Sequence, residues 1–332
     1  MASESFKAIM LTQDEGRTNC AIGNITDDLL PEGDVLLAVE YSSLNYKDGL
    51  AVTGKGKVVR RFPMVPGIDL AGSVVESESA EYRPGDRVLL TGWGIGEQHW
   101  GGYSQRQRVR SDWLLPLPDG LDSRQAMILG TAGFTAMLSA MTLEEAGVRP
   151  GKGSPVLVTG ASGGVGSLAV LLLAALGYEV AAATGRPENH EYLRELGAGE
   201  IVDRESVARK ARPLESERWA GVVDTVGGST LARALAECAH DGCVAACGLA
   251  GGTTFETTVM PFILRGVSLR GVDSAWCRTD RRKQAWKRLA QLAPKRTLER
   301  ISGSASLEQI PTLAEEILRG QIRGRIVVDL SG

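Results

Sequence analysis

Seven consecutive residues, Gly160-Ala161-Ser162-Gly163-Gly164-Val165-Gly166, offer the clearest chemistry in this chain. A short apolar run, Pro155 to Thr159, leads into them, and an apolar helical stretch, Gly164 to Leu176, begins within them. Glycines at such a strand-to-helix turn let backbone approach a pyrophosphate, and the N-terminus of the helix favours the anion. Gly163 is expected to allow that approach, and Gly166 to let the helix pack on its sheet. Ala161 stands at the first position of the G-x-G-x-x-G pattern, so the flanking strand and helix carry the assignment.

The next strand is expected to end at Ala183-Thr184-Gly185-Arg186. A site for NAD usually places Asp or Glu there, accepting hydrogen bonds from the ribose hydroxyls. No carboxylate is present. Arg186 can instead pair with a 2′-phosphate, and Thr184 can donate to it. Arg204, just beyond a third strand, brings a second cation to the same edge. These residues select NADPH over NADH.

These groups need a parallel sheet to position them. From Pro155 the chain alternates between apolar runs (Tyr178 to Ala183, Glu200 to Asp203, Gly221 to Val226, Cys243 to Cys247) and helical stretches (Glu188 to Leu196, Ser229 to His240). Apolar strands without in/out alternation, separated by helices, predict a doubly wound α/β sheet of the Rossmann type. The first ~125 residues read differently. Val35 to Tyr41, Asp69 to Glu76 and Asp86 to Leu90 are short β segments punctuated by Pro-Gly and Gly-Asp turns. They predict a compact, barrel-like β domain. A helix from Leu121 to Gly147, with Asp122 as its N-cap, leads from one region to the other. Polar helices near Arg281 to Leu292 and Ser306 to Arg319 precede a final strand, Arg325 to Leu330.

The bulk properties agree. At roughly 150 residues per domain, 332 residues suggest two domains. Glycine, at 41 residues, is in excess and points to many tight turns. A formal net charge of −3 gives no dedicated nucleic-acid surface. Met1 to Lys7 is polar, with no signal pattern, and the apolar run Leu168 to Leu176 is too short to span a membrane. A cytoplasmic protein with free thiols is expected. Cys238, Cys243 and Cys247 are loosely spaced and lack a His at a zinc-finger interval, so they read as small buried hydrophobes.

The order of β domain, Rossmann unit and returning strand resembles the medium-chain dehydrogenase/reductase superfamily. Its zinc branch carries a catalytic Cys, a Gly-His-Glu segment and a four-Cys lobe. Here Asn45-Tyr46-Lys47-Asp48 and Gly67-Ile68-Asp69 stand at the first two places, and no Cys lies between Cys20 and Cys238. His99, His190 and His240 match no ligand position of that branch. No metal is therefore expected, and without a Lewis acid alcohol oxidation is disfavoured. Within the zinc-free branch the chain resembles the NADPH-dependent acrylyl-CoA reductase family along its whole length. The resemblance rests on Ser42 to Asp48, Thr53 to Lys57, Phe62 to Asp69, Thr91 to Gly94, His99 to Gly102, Gly130 to Ala136, Cys247 to Gly252, Val259 to Arg265 and Gly271 to Ser274. One departure falls in Arg319 to Arg325, where an Asn associated with cofactor contact is missing.

The resemblance implies a GroES-like catalytic domain of the β-barrel type over residues 1–125 and 298–332. It implies a Rossmann NADPH-binding domain over 126–297. Cofactor contacts are implied at Tyr46, Ser162, Gly163, Gly164, Val165, Thr184, Gly185, Arg186, Arg204, Leu249, Ile263 and Ser274. It further implies an acyl-CoA substrate, reduced from acrylyl-CoA to propionyl-CoA, and a homodimer. A zinc-free site still needs a group that hydrogen-bonds the substrate carbonyl or supplies a proton. A phenol can do either, which makes Tyr46 the first catalytic candidate and Asn45 the second. The competing reading of Asn45 and Tyr46 is a strand-to-helix turn with an Asx cap and a buried ring. His99, beside Trp93 and Trp100 in a glycine-rich segment, reads as an acyl-pocket residue or as part of a packed loop. Arg278, Arg281, Arg282 and Lys283 read as a CoA phosphate site or as a solvated helix face. An NADPH:quinone oxidoreductase and a non-enzymatic NADPH-binding sensor remain the alternative functions.

Overall fold

The computed structural model describes residues 5–151 and 153–331. Residues 1–4, part of the polar N-terminal stretch, lie outside them. The chain forms two compact units: Met1–Thr131 with Lys295–Gly332, and Ala132–Pro294.

In the first unit β1 (Ser5–Asp14) and β2 (Arg17–Thr26) pair as an antiparallel hairpin, Ser5 opposite Thr26. Its turn, Glu15-Gly16, has positive φ at both residues, the geometry that matches strand twist in a tight hairpin. The hairpin escapes the sequence reading because its second strand is largely exposed and polar. Then follow β3 (Val35–Ser43), β4 (Asp69–Ser77), β5 (Arg87–Thr91), β6 (Arg106–Val109) and the short β7 (Leu115–Pro116). The expected strands thus form, each shifted by one or two residues at its ends.

The second unit is built on six strands: β8 (Val156–Val158), β9 (Val180–Thr184), β10 (Glu200–Asp203), β11 (Trp219–Asp224), β12 (Cys238–Ala246) and β13 (Ser268–Gly271). All pair in parallel, in the order β10-β9-β8-β11-β12-β13. Counted from β8 this is 3-2-1-4-5-6, the doubly wound Rossmann order. β8 and β9 are buried at every residue, which explains their lack of alternation. Leu157, Val222, Leu235 and Trp219 anchor the core.

The chain then returns to the first unit. β14 (Ser302–Ala305) and β15 (Arg325–Asp329) complete a sheet of order β14-β15-β3-β4-β5-β7, with β6 paired to β3. β15 runs antiparallel to β3, Val327 opposite Ser43. Ile310 and Val328 from this segment share a core with Ile9, Leu37, Val39 and Leu90.

The helix expected from Leu121 to Gly147 spans Ser123–Glu145 but is broken at Gly130, with φ 49° and ψ −154°. The Asp122 carboxylate accepts the Gln125 N–H at 2.7 Å, so the predicted cap forms. Among the described residues this is the one helix long and apolar enough to cross a membrane, and it is almost wholly buried in the protein.

Candidate functional site

In the second unit the sheet reverses its strand order between β8 and β11, where ligands of this fold bind. The loop after β8 shows why its glycines are required. Gly160 has φ 59°, and a Cβ there would meet Thr225 Oγ1 at 2.4 Å. A Cβ on Gly166 would lie 2.2 Å from the Gly160 carbonyl oxygen, so no side chain fits. Gly163 is the N-cap of the helix Gly164–Ala175. The Ala161 N–H donates to the Ala183 carbonyl at 3.1 Å, fastening the loop to β9. Ser162 is buried, while Gly163, Gly164 and Val165 stay partly accessible.

A buried acid braces this region. Asp224, at the end of β11, accepts from Thr159 Oγ1 at 2.7 Å and from the Gly227 N–H at 2.8 Å. Burial raises its carboxyl pKa against those hydrogen bonds. A Cβ on Gly248 would lie 2.1 Å from the Thr225 carbonyl oxygen, so the loops after β11 and β12 press together.

β9 ends at Thr184, whose hydroxyl accepts the Arg186 N–H at 3.2 Å. A Cβ on Gly185 would lie 2.9 Å from Arg204 Nε. Arg204 therefore lies across Gly185, and the structure brings together the three residues expected at this edge. The Asp203 carboxylate caps the following helix, accepting the Glu205 N–H at 3.3 Å. Leu249 follows β12 and Ser274 follows β13, so both belong to the carboxyl ends of the same strands. Ile263 is placed differently: it stands 71% exposed on the helix Met260–Arg265 that leads into β13.

The first unit carries a buried polar network. Asn45 is the N-cap of the helix Tyr46–Thr53, and its N–H donates to Asp48 at 2.9 Å in a capping box. The other Asp48 oxygen accepts the Ile68 N–H at 3.0 Å. The Asn45 side-chain amide donates to Asp69 at 2.9 Å and reaches Asp48 at 3.2 Å. Asp69 also accepts from Ser43 Oγ at 2.5 Å and from the Thr131 N–H at 3.0 Å. Arg325 donates to the Ile128 carbonyl at 2.9 Å, to Ser43 Oγ at 2.9 Å and to Asn45 Oδ1 at 3.3 Å. A Cβ on Gly130 would lie 2.6 Å from Asp69 Oδ2, so the helix break there makes room for the network.

Asp48, Asp69 and Arg325 are all buried. Desolvation, then the charge of Asp69, raises Asp48 to about 7. Desolvation, then the charges of Asp48 and Asp69, push the Tyr103 phenol well above its ordinary value. Removing charge from water is costly unless each group is bonded, and here the bonds converge.

Tyr46 opens its helix and keeps its side chain 39% exposed, so the reading of a buried ring does not hold. Its helix is held close: a Cβ on Gly49 would lie 2.7 Å from Ile317. The Asn45 side chain is engaged on both sides: its amide donates to Asp69 and Asp48, and its Oδ1 accepts from Arg325. Sequence reasoning missed Ser43, Tyr103, Thr131 and Arg325. The local signal for Asp48 was its place three residues after Asn45, the spacing of a capping box.

Among the described residues no three His, Cys, Asp or Glu side chains gather as a metal-binding group. Cys238 and Cys243 are buried in β12, and burial pushes Cys238 and Cys247 up to about 12. His99 packs on Trp113, ring centroids 4.7 Å apart. Its pKa is lowered by burial and by Arg61 and Arg110, as suits a packed loop. The basic cluster divides: Arg282 is buried over Phe134, at 4.7 Å from the ring, whereas Lys283 is exposed.

Residues 31–119 match the alcohol dehydrogenase GroES-like domain, and residues 164–292 match the zinc-binding dehydrogenase family. The chain is 54% identical to the probable acrylyl-CoA reductase AcuI of Escherichia coli, over 98% of this chain and all of that one. It is 54% identical to the acrylyl-CoA reductase AcuI of Ruegeria pomeroyi, over 98% and 99%. A crystal structure of E. coli YhdH with bound NADPH superposes with a TM-score of 0.95 at 54% identity, covering 97% of this chain and 99% of that one.

Proposed function

The chain belongs to the medium-chain dehydrogenase/reductase superfamily, and from that premise we propose that it is an NADPH-dependent reductase of the C=C bond of acrylyl-CoA, giving propionyl-CoA. The observation that carries this reading is a pairing within one chain. A cation-lined nucleotide edge stands at the end of β9, and an exposed phenol stands on a rigidly capped helix.

The glycine loop and the N-terminus of the helix Gly164–Ala175 offer the pyrophosphate backbone N–H groups and a positive dipole end. Ser162, Gly163, Gly164 and Val165 line that approach. Thr184, Gly185, Arg186 and Arg204 receive the 2′-phosphate, with both guanidinium groups as charge-assisted donors. Leu249 and Ser274 continue the cofactor site along the carboxyl ends of the strands, and Ile263 and Tyr46 complete the proposed contacts. NADPH, when bound, supplies the hydride that adds to the β-carbon of the thioester.

As that bond forms, electron density moves to the thioester oxygen. The Tyr46 hydroxyl donates to this oxygen, where a preorganised donor is worth most because charge develops there. Asn45, held by Asp48 and Asp69, fixes the start of the helix that presents the phenol. The α-carbon then takes a proton from the Tyr46 hydroxyl or from water, so that one hydride and one proton are added overall.

The same proposal includes independence from zinc, because Asn45 and Ile68 offer no metal-ligating side chain at the places where the zinc branch ligates. It also includes a cytoplasmic location and a homodimer. β13 ends the parallel sheet, and a strand from a second copy can extend such an edge.

NADPH oxidation measured side by side with acrylyl-CoA, free acrylate and a soluble quinone tests the reading. Free acrylate already carries negative charge, so acrylyl-CoA should turn over far faster than either competitor. A quinone reduced faster than acrylyl-CoA would make the protein a quinone oxidoreductase. No turnover with any acceptor would leave a nucleotide-binding sensor.

A further inference from the structure

A run of positive charge follows the helix that carries Tyr46. Lys55, Lys57, Arg60 and Arg61 fall within seven residues, and no Asp or Glu stands between Gly49 and Ile68, in a chain whose formal net charge is −3. Short Lys/Arg-rich segments are electrostatic footprints for polyanions, unless they are merely one solvated face of a helix. This segment is not helical. Gly54, with φ 67°, closes the helix Tyr46–Thr53, and Lys55 to Arg61 belong to no helix or strand. Val58, Val59 and Phe62 pack against the core of the first unit. With those side chains directed inward, Lys57, Arg60 and Arg61 are left exposed.

Most of this charge is uncompensated. Lys55 is paired with Glu315, whereas Lys57, Arg60 and Arg61 take part in no ion pair among the described residues. Like charges held this close repel, and a bound polyanion relieves the repulsion. Guanidinium forks match phosphate oxygens bidentately. The loop is also fixed relative to Tyr46. The Arg60 N–H donates to the Glu97 carbonyl at 2.8 Å, and the Glu97 carboxylate accepts from Lys47 Nζ at 2.7 Å. Lys47 follows Tyr46 directly, so Glu97 joins the cation loop to the helix that presents the phenol. That helix is eight residues long, about 12 Å from end to end. An extended pantetheine arm reaches about 14 Å, as about four residues of extended chain do. The arm is therefore long enough to run from the loop to the phenol.

We propose that Lys57, Arg60 and Arg61 bind the 3′-phosphate and the diphosphate of CoA, while its pantetheine arm lies along the helix Tyr46–Thr53 towards the phenol. The inference rests on the acyl-CoA reading above and adds where the anionic end of that substrate is held. These cations belong to the first unit, whereas the β13 edge, where a second copy is proposed to pair, belongs to the second. None of the three is among the residues proposed to hold NADPH. Binding energy gained at the phosphates positions the alkene, as remote binding energy does in other enzymes.

The test compares acrylyl-CoA with acrylyl-pantetheine, which lacks the phosphates, in the intact protein and in variants. Arg60→Ala with Arg61→Ala should cut the kcat/KM preference for acrylyl-CoA over acrylyl-pantetheine about tenfold, and adding Lys57→Ala should cut it further. Lys210→Ala with Lys287→Ala removes the same charge from exposed positions of the second unit and should keep the wild-type preference. Adenosine 3′,5′-bisphosphate should inhibit in competition with acrylyl-CoA, and more weakly in the Arg60 and Arg61 variant. Turnover of acrylyl-pantetheine reports that each variant is folded. If both thioesters are reduced and the preference is the same in every protein, or falls equally in the Lys210 and Lys287 variant, the loop assignment is wrong while the reductase reading stands. Inhibition competitive with NADPH alone would also overturn it. If neither thioester is reduced by the wild type, the reading on which the loop assignment rests fails with it.

Discussion

The two units treat polar chemistry in opposite ways. In the first, Ser43, Asn45, Asp48, Asp69 and Arg325 are buried and bonded to one another, so a rigid network stands beneath one exposed phenol. In the second, glycines bare the backbone and Arg204 lies exposed across Gly185. The first arrangement holds a group still. The second keeps backbone and a cation accessible at the end of β9, as the proposed nucleotide site requires. A reductase needs both: a fixed donor at the reacting oxygen, and a cofactor site whose groups are satisfied when the nucleotide binds.

The largest expected effect breaks the first arrangement. Arg325→Met removes a buried cation and leaves Ser43, Asn45 and two backbone carbonyls short of a donor. Breaking such a buried network costs about 3–5 kcal/mol, and chemical denaturation should show a loss of that order. A loss below 1 kcal/mol would mean that water enters and replaces the guanidinium.

Tyr46→Phe keeps the ring and deletes the hydroxyl. Loss of one donor to a developing oxyanion should lower kcat with acrylyl-CoA by roughly ten- to a thousandfold, with KM changed less. If kcat held while NADPH affinity fell, Tyr46 would be a cofactor contact only.

Arg186→Ala probes the second arrangement. A charge-assisted bond to phosphate is worth about 1.5–3 kcal/mol, or ten- to a hundredfold in affinity. NADPH binding should weaken by that factor in titration while NADH binding barely changes. Equal weakening of both would make Arg186 a structural residue.

The smallest effect per step measured, a slope with pH, concerns Asp48. Its carboxyl titrates near 3.8 when unfolded and at about 7 when folded. The folded protein therefore holds the proton more tightly. The stabilisation this gives is complete below about pH 4, is lost as pH rises towards 7, and changes no further above it. Asp48→Asn removes the titration. The stability difference between the two proteins should move against the wild type by at most about 1.4 kcal/mol per pH unit between pH 4 and 7. A difference that is flat across this range would show that Asp48 stays ionised in the fold.

The contrast also explains what could be read in advance. The glycine loop and Thr184-Gly185-Arg186 are continuous in the chain, and their strand and helix context is local. The parallel sheet announced itself through strands buried on both faces. The network under Tyr46 is assembled from distant positions, with Ser43 and Arg325 282 residues apart, and no local pattern pairs them. Arg325 is legible only as the start of the final strand and the end of a stretch that departs from the family pattern. The helix from Ser123 has an apolar pattern that runs through Gly130, and only the crowding of Gly130 by Asp69 reveals why the helix breaks there. β12 begins at Cys238 rather than Cys243, because the preceding helix ends at Glu237 and its last expected turn becomes strand.

The central claim is hydride transfer to an enoyl thioester, and isotope tracing tests it most directly. Acrylyl-CoA should be reduced with NADPH deuterated at the transferred C4 position, once in ordinary water, and then with unlabelled NADPH in deuterium oxide. The account predicts propionyl-CoA with one deuterium at the β-carbon in the first case and one at the α-carbon in the second. Propionyl-CoA without β-deuterium from the labelled cofactor, or no propionyl-CoA at all, would contradict it.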